Sequence, residues 1–523
     1  MKRITSIIKS TEFACLIAAI FFITLCSKSS FIYPLNDWGD VNCYFIIGKG
    51  MKHGMVPYRD LYDQKGMFIF FLYYLANLIT SSSFFGVYVI EVISAFLFLL
   101  ISLKTVRLFC DSDKYAPALA SILACTSYAS FSFSHGGSAE ELLMPAFAYG
   151  IYIVTRQLQT HTIPGKKSLF MFGLCAGILF FSKFTLCAFY IPIIIIMMID
   201  AARSKSFGKL MRNSIFFILG FIAIFLPILL YFAANGALGD YFNGYFYNNI
   251  FSYVHVEVSQ MLHFWQYGYI PRCYVFFRKG NILPIILMFI GAIWLIIRRK
   301  GLILTSHVLA FLSLFFMQFI YSFPYRYYGM PFYSLSAIGL CVLVTIFDKI
   351  KFLKPAIISL IAVAGSICIG YIFADNKYYM FTDKNETQQF IFANEMEQYS
   401  TDDKSLLVYF PLDEGFYFAG GQMPVTKAFI QTNLRTDMLL DLQNEVINNN
   451  EVEFIVTKKV LCDTENYDET CAQYKDIMEE SGYPEEYYIV TFDDFDYELI
   501  DELDAYYEDD IYTYRLYKKT TIQ

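Results

Sequence analysis

The stretch VPYRDLYDQKGMFIFFLYYL, residues 56–75, places four charged side chains directly before an apolar run. The charges are Arg59, Asp60, Asp63 and Lys65, and the run after them is apolar enough to enter a bilayer. Charged side chains are costly beside hydrocarbon, and those found there commonly pair or line a functional site. We therefore expect this stretch to lie at a membrane surface, with part of its charge meeting an anionic lipid head group. A plain interfacial loop is the alternative.

The composition indicates a membrane protein that also has a polar region. The chain has 523 residues, of which 56% are hydrophobic and 17% are charged, and its mean hydropathy is +0.45. Soluble globular chains carry about 25% charged residues. A soluble protein is therefore excluded.

Charge divides the chain into two parts near residue 375. Residues 375–523 contain 33 acidic and 11 basic side chains, whereas residues 1–374 contain 14 acidic and 29 basic ones. This predicts a transmembrane domain over 1–374 and an acidic domain over 375–523. The strong negative charge of the second part disfavours nucleic acid and other polyanions as partners.

Eleven segments are apolar enough to cross a bilayer, and basic clusters set their orientation. The predicted segments are 11–27, 84–103, 116–133, 141–158, 168–182, 184–200, 213–233, 281–297, 302–322, 329–347 and 355–374. With about 11 transmembrane helices, 19 of the 29 basic residues of this part fall on the cytoplasmic side. The prediction is a multi-pass plasma (inner) membrane protein with a cytoplasmic N-terminus and an extracytoplasmic C-terminal domain.

This count of crossings has three local consequences. The run 67–80 becomes a surface helix within a first outer loop, 28–83, because a further crossing would invert the basic clusters. The run 169–200 crosses twice, which places Lys183 in an outer turn. The run Phe13–Cys26 is not followed by an A-x-A cleavage site, so we interpret it as a retained first helix.

The unusual polar residues then gather on the outer face. They come from several separate connections and are Asp37, Asp40, Arg59, Asp60, Asp63, Lys65, His135, Glu140, Glu141, Lys183 and Arg326. Carboxylates together with several cations suit an anionic lipid substrate, such as a lipid-linked phosphosugar, because Lys and Arg bind phosphate and a carboxylate can act as general base. A divalent cation held by Asp40 and Glu140 is an alternative way to bind the phosphate. Individually, these residues could also be interfacial anchors or helix-capping charges.

Several motifs resemble the GT-C superfamily of membrane glycosyltransferases, in the branch of protein O-mannosyltransferases and the lipid A aminoarabinose transferase (glycosyltransferase family 39-like). The motif GDVNCYF, residues 39–45, looks like the acidic motif after the first helix of that branch. The stretch YDQKGMFIFFLYYL, residues 62–75, is similar to the Lys-containing segment that leads into a surface helix. It departs from the pattern at Gln64 and Gly66, where relatives often carry an acid and a proline. GILFFSKFTLCAFYIP and YRYYGMPFYSLSAIGL resemble segments that approach the donor phosphate.

The resemblance implies roles for residues of this chain. Asp40 would be the catalytic base, with Asp37 as the alternative. The residues assigned to the donor phosphate are Lys65, Lys183, Arg326 and Arg59. The candidates for binding acceptor or metal are Glu140, Glu141, Asp63 and His135.

The predicted outer domain reads as a small α/β unit. Helical patterns at NETQQFIFANEMEQYS and LRTDMLLDLQNEVINN alternate with strand patterns at SLLVYF, VEFIVTK, EYYIVTFDD and IYTYRLYKK. Cys462 and Cys471 are its two cysteines, and an exported domain would permit a disulfide between them. This domain either covers the membrane site and guides a neutral or basic acceptor, or is a passive cap.

The predicted function is sugar transfer from a polyprenyl-phosphate donor to a glycan, lipid or protein acceptor of the cell envelope. A flippase or transporter of lipid-linked saccharides is one alternative, but ionisable groups on one side of the helices favour an enzyme acting on one leaflet. A polysaccharide polymerase or ligase, which shares the donor chemistry, is another.

Overall fold

Helices make up most of residues 11–373 in the computed structural model. The structure describes residues 11–252, 277, 279–319, 325–401, 404–409, 413–430, 437–460, 496–507 and 510–520. The helices of the first part are α1 (Thr11–Cys26), α2 (Gly39–Lys52), α3 (Met67–Ile79), α4 (Phe85–Arg107), α5 (Ala116–Tyr128), α6 (Ala139–Leu142), α7 (Met144–Thr160), α8 (Lys166–Phe180), α9 (Tyr190–Arg203), α10 (Phe207–Ala234), α11 (Leu238–Tyr241), α12 (Ile282–Ile297), α13 (Gly301–Phe319), α14 (Leu340–Phe347) and α15 (Pro355–Phe373). Short 3-10 helices at Phe184–Phe189 and Arg326–Gly339 precede α9 and α14, and a π-helix spans Phe242–Ser252.

The protein is a multi-pass membrane protein. Six helical stretches of the described chain are long and apolar enough to cross a bilayer: 85–107, 184–203, 207–234, 301–318, 326–347 and 355–373. The apolar helices α1, α3 and α12 are shorter. A helix of 13 residues such as α3 is about 20 Å long, less than the hydrocarbon thickness.

Glycines allow α8 and α10 to pack with their backbones in close contact. A Cβ on Gly173 would lie 1.8 Å from the carbonyl oxygen of Phe217, and one on Gly220 would lie 2.0 Å from that of Phe170. Close approach of this kind is typical of small residues at helix interfaces in membranes. It fixes the end of α8, after which the chain leaves the helix and reaches Lys183 in extended backbone.

The segment predicted to span at 329–347 is not a regular α-helix. Its first part is the 3-10 helix Arg326–Gly339, which packs against α12. A Cβ on Gly339 would lie 2.2 Å from the carbonyl oxygen of Leu287. This close packing brings the tyrosines at the start of the segment to the polar face.

The C-terminal part contains a four-stranded mixed sheet. Its strands are β1 (Leu406–Val408), β2 (Phe454–Val460), β3 (Tyr497–Tyr507) and β4 (Asp510–Lys519) in the order β1-β2-β4-β3. The β1–β2 pair is parallel and the other pairs are antiparallel. Helices α16 (Gln388–Tyr399), α17 (Phe416–Gly420) and α18 (Asp437–Asn448) accompany the sheet. The predicted strand EYYIVTFDD and both Cys462 and Cys471 lie outside the described residues.

The C-terminal part is docked on the first outer loop. The ring of Phe418 lies 4.6 Å from that of Phe84 and 5.6 Å from that of Phe45, between centroids. Lys49 donates a 3.0 Å hydrogen bond to the carbonyl of Gly421. The backbone N–H of Tyr62 donates to the carbonyl of residue 427 at 3.1 Å. The apolar cores of the two parts are therefore continuous.

Candidate active site

Asp40 lies in the first turn of α2, where the helix dipole favours a carboxylate. Asn42 supports this turn, since its side-chain amide donates to the carbonyls of Asn36 and Trp38 at 2.8 and 3.0 Å. The carboxylate of Asp40 is 21% exposed and its Oδ2 lies 3.9 Å from Nζ of Lys65. The hydroxyl of Tyr44 donates to the same oxygen at 3.1 Å. Asp40 is thus accessible and has a cation at its side.

Lys65 is held by the backbone around it. The hydroxyl of Tyr58 donates a 2.6 Å hydrogen bond to the carbonyl of Lys65. The next residue, Gly66, donates its N–H to the carbonyl of Ser182 at 2.8 Å, and a Cβ on it would lie 2.1 Å from the carbonyl oxygen of Phe181. The glycine that departs from the family pattern therefore joins the Lys65 segment to the turn that carries Lys183.

Lys183 and Glu140 form a second ion pair beside the first. Nζ of Lys183 lies 2.7 Å from Oε1 of Glu140, with the lysine side chain 19% exposed and the glutamate fully buried. The same ammonium lies 3.8 Å from the ring centroid of Tyr328, a cation–π contact. Glu140 and Tyr328 also contribute to the raised pKa of Lys65. The two ammonium groups therefore share neighbours and form one cluster with Asp40.

Charges within the cluster set protonation states in the outer loop. Burial opposes the charged form of Lys65, but Asp40 and Asp63 together raise its pKa above the ordinary value. Burial, assisted by Asp40, raises the pKa of Asp63 to about 6, while Lys65 opposes that shift. Lys65 is therefore cationic at neutral pH and available to bind an anion.

Arg326 lies at another edge of this face. Its guanidinium carbon lies 4.6 Å from the ring centroid of Phe131. The following residue, Tyr327, meets the ring of Trp38 edge to face at 5.2 Å. Since Trp38 directly precedes α2, Arg326 belongs to the surroundings of Asp40 without an observed contact to it.

Two of the predicted site residues, Arg59 and Asp37, have other partners. Arg59 pairs with Asp60 and donates to the carbonyl of Asn235 at 3.0 Å, at an exposed position away from the cluster. Asp37 accepts two hydrogen bonds from Lys28 at 2.7 and 2.9 Å. The structure therefore pairs Arg59 with Asp60 and Asn235 and not with Lys65 or Lys183. Asp37 and Asp40 are similarly exposed, at 19% and 21%, but Asp37 is bound by Lys28 at 2.7 Å, whereas Lys65 lies 3.9 Å from Asp40.

The pKa values of Asp37 and His135 are both lowered, which leaves Asp37 charged and His135 neutral. Burial opposes ionisation of Asp37, but the ammonium of Lys28 holds its pKa below the ordinary value. Burial and Lys28 lower the pKa of His135 to about 3, and its ring stacks on Trp38 at 5.9 Å between centroids. His135 is therefore a neutral, packed residue.

Glu141 points away from its neighbour Glu140. Its Oε2 accepts the N–H of Gly137 at 2.7 Å, and its own N–H donates to the hydroxyl of Ser138 at 3.1 Å. Its side chain also interacts with Glu91 of α4. Glu141 is thus buried on the helix side of the turn, while Glu140 faces Lys183.

Among the described residues, no group of three or more His, Cys, Asp and Glu side chains is arranged to hold a metal ion. A divalent cation between Asp40 and Glu140 would therefore need phosphate or water oxygens to complete its coordination.

Several residues around the site were missed in the sequence. Tyr44 and Tyr328 were missed because aromatic residues are common at membrane interfaces. Lys28 was missed although its partner Asp37 is close in sequence. Glu91 was missed although its signal is plain, since an acid inside an apolar segment is a functional candidate by default. Glu91, which is fully buried in α4, is an exception to the expectation that ionisable groups lie on one side of the helices.

Comparison with known proteins identifies the fold. No protein-family model matches the chain, and no curated protein matches its sequence significantly. The structure of ArnT from Cupriavidus metallidurans bound to undecaprenyl phosphate aligns over 96% of both chains, with a TM-score of 0.55 and 10% identity. The apo structure of ArnT covers 86% of this chain and 94% of its own, with a TM-score of 0.53 and 11% identity. An oligosaccharyltransferase from Archaeoglobus fulgidus covers 85% of this chain and 68% of its own, with a TM-score of 0.46 and 12% identity. The predicted resemblance is confirmed at the level of fold: the chain has the fold of ArnT over nearly its whole length.

Proposed function

We propose that this protein is a membrane glycosyltransferase that moves a sugar from a polyprenyl-phosphate donor to an extracytoplasmic acceptor. One observation carries the proposal: the accessible carboxylate of Asp40 lies 3.9 Å from Nζ of Lys65, and the Lys183–Glu140 pair adjoins it. The ArnT fold supports it, because one ArnT structure holds undecaprenyl phosphate.

The two lysines take the donor phosphate. Lys65 and Lys183 are both held by buried or half-buried carboxylates, so their ammonium groups are positioned before a ligand arrives. In the reaction the bond between the anomeric carbon and the phosphate oxygen breaks, and the phosphate gains negative charge. Cations already in place stabilise that charge without reorganisation.

Asp40 takes the proton of the acceptor. The new bond forms between the acceptor oxygen and the anomeric carbon, and the hydroxyl proton passes to the Asp40 carboxylate as general base. The leaving polyprenyl phosphate departs charged, so it needs no acid. Lys65, 3.9 Å away, lies beside the carboxylate that accepts this proton.

The acceptor meets the acidic C-terminal part of the chain. Residues 375–523 carry 33 acidic and 11 basic side chains, and this part is docked on the loop that contains Asp40. That charge disfavours polyanionic acceptors. We therefore propose a neutral or basic glycan, lipid or protein acceptor on the extracytoplasmic side of the plasma membrane.

The test is donor consumption by the purified protein in lipid, with a panel of radiolabelled polyprenyl-phosphate sugars. Wild type should release label from one donor, and Asp40→Asn should reduce kcat by about 10²- to 10⁴-fold with donor binding retained. Asp441→Asn, an exposed acid on α18, is the matched control and should keep full activity.

A different outcome points to the alternatives. If no donor is consumed while labelled lipid moves between vesicle leaflets, the protein is a flippase. If only diphosphate-linked saccharides are consumed, it is a polymerase or ligase.

A further inference from the structure

A fully buried acid, Glu91, lies in the apolar helix α4 and is not explained by the proposed chemistry. The hydroxyl of Ser27 lies 2.8 and 2.9 Å from its two carboxylate oxygens. A Cβ on Gly136, whose φ is +83°, would lie 2.5 Å from Oε1. Glu91 is therefore packed directly under the glycine turn that leads to α6.

Glu141 at the end of this turn meets Glu91. Both carboxyl groups are fully or almost fully buried, and they interact through their side chains. No lysine, arginine or histidine of the described chain forms an ion pair with either carboxyl. Glu91 lies against Gly136 and Glu141 accepts the N–H of Gly137, so both carboxyl groups are buried at the same turn. Two such groups without a paired cation do not both ionise, so the pair holds one proton between them.

The same helix holds the backbone of the turn. The hydroxyl of Ser94, one turn after Glu91, donates to the carbonyls of Glu141 and Leu142 at 3.2 and 3.1 Å. On the other side, the hydroxyl of Tyr73 donates to the carbonyl of Gly137 at 2.7 Å. The turn is thus clamped between α4 and the first outer loop.

This clamp sets the place of two groups at the site. Glu140 lies inside the turn and binds Lys183 at 2.7 Å. Gly137 packs against Val41, the residue after Asp40, because a Cβ on Gly137 would lie 2.7 Å from a methyl group of Val41. A displacement of the turn would therefore move the Lys183 ammonium and press on the start of α2.

We propose that Glu91 is a positioning residue that, by sharing one proton with Glu141, fixes the turn at residues 136–142 and so sets Glu140 and Lys183 for the departing phosphate. This inference rests on the proposed function. Glu91 itself does not touch substrate, and it acts through Glu141.

The test compares Glu91→Gln with Glu91→Ala in the full-length protein in lipid. Glutamine keeps a neutral hydrogen-bond donor for Glu141, so Glu91→Gln should stay close to the wild-type kcat. Glu91→Ala removes the clamp, and kcat should fall about 10- to 100-fold with little change in donor KM, as expected for misplaced catalytic groups. Ser102→Ala, which alters another buried polar residue of α4, is the control and should leave both constants unchanged.

Infrared difference spectroscopy tests the shared proton without any substrate. Wild type at neutral pH should show the carbonyl stretch of a buried protonated carboxylic acid, and this band should shift in frequency in Glu91→Gln, where Glu141, still buried, holds the proton alone. The inference is overturned if the band is absent from wild type, or if Glu91→Ala turns over donor at the wild-type kcat. A wild type that consumes no donor but shows the band contradicts the proposed function and leaves the proton-sharing pair in place. If Glu91→Ala does not fold, Glu91→Gln and the infrared band decide the question, because a large loss of kcat in Glu91→Gln also overturns the inference.

Discussion

The ammonium of Lys183 donates a 2.7 Å hydrogen bond to the fully buried carboxylate of Glu140. Only one oxygen of that carboxylate has a hydrogen-bond partner in the described structure. The lysine is therefore bound by a single strong contact, with the ring of Tyr328 as its second neighbour at 3.8 Å. Removing the carboxylate charge should free the lysine without emptying the space around it.

Glu140→Gln should lower kcat for sugar transfer by about 10²-fold, because Lys183 loses the charge that places it before the departing phosphate. Steady-state donor turnover measures this. Glu386→Gln, an exposed acid, should behave as wild type. Equal rates for Glu140→Gln and wild type would remove the Lys183–Glu140 pair from the mechanism.

Gly66→Ala should weaken donor binding and lower thermal stability. A Cβ at residue 66 would lie 2.1 Å from the carbonyl oxygen of Phe181, and backbone must move to admit it, at a typical cost of about 1–3 kcal/mol. Thermal unfolding in detergent and donor titration measure the two effects. Gly208→Ala meets no atom within 4 Å and should be neutral or slightly stabilising, so equal behaviour of the two variants would contradict the contact.

Phe418→Ala should loosen the C-terminal part from the first outer loop. The ring packs against Phe84 and Phe45. Truncating a fully buried phenylalanine costs about 3–5 kcal/mol, and the half-buried Phe418 should cost less. Hydrogen exchange should rise both in residues 413–430 and in α2, and sugar transfer should fall. Tyr378→Ala removes an aromatic ring that is 80% exposed and should change neither. Unchanged exchange in α2 would mean that the docking does not support Asp40.

Asp413→Asn should stabilise the protein at pH 7.5 and not at pH 4. Burial raises the pKa of Asp413 from 3.8 to about 6, although the N–H groups of Gly415 and Phe416 oppose the shift. The folded protein therefore holds a proton between about pH 4 and 6 that the unfolded chain releases, so stability declines as pH rises through this window. The loss above pH 6 is at most about 3 kcal/mol, and asparagine avoids it. Unfolding temperatures measured against pH would contradict this if the gain were equal at both pH values.

Apolar runs with basic ends located most helices but not their detailed conformation. The run 84–103 became α4, which continues to Arg107 because a helix can carry its basic end into the interface. The 3-10 form of Arg326–Gly339 was not predicted, since its apolar pattern is that of any buried helix. The strand β3 was not predicted either, because four acidic residues interrupt the alternation expected of a strand.

The cluster of Asp40, Lys65, Glu140 and Lys183 followed from counting crossings, which put their loops on one face. Pairings between side chains, such as that of Glu91 with Glu141, could not be predicted, because they depend on how the helices pack and not on spacing in the sequence. Arg59 shows that closeness in sequence does not ensure closeness in the site. It is near Lys65 in the sequence but pairs with its neighbour Asp60.

The hydrogen bond from Lys49 to Gly421 joins residues 372 positions apart. During synthesis, the loop that contains Asp40 must therefore wait for the last quarter of the chain before its neighbours are complete. Chains released before Gly421 would carry the described membrane helices yet lack this support for the Asp40 loop. The order of synthesis thus delays completion of the surroundings of Asp40 until Gly421 has been made.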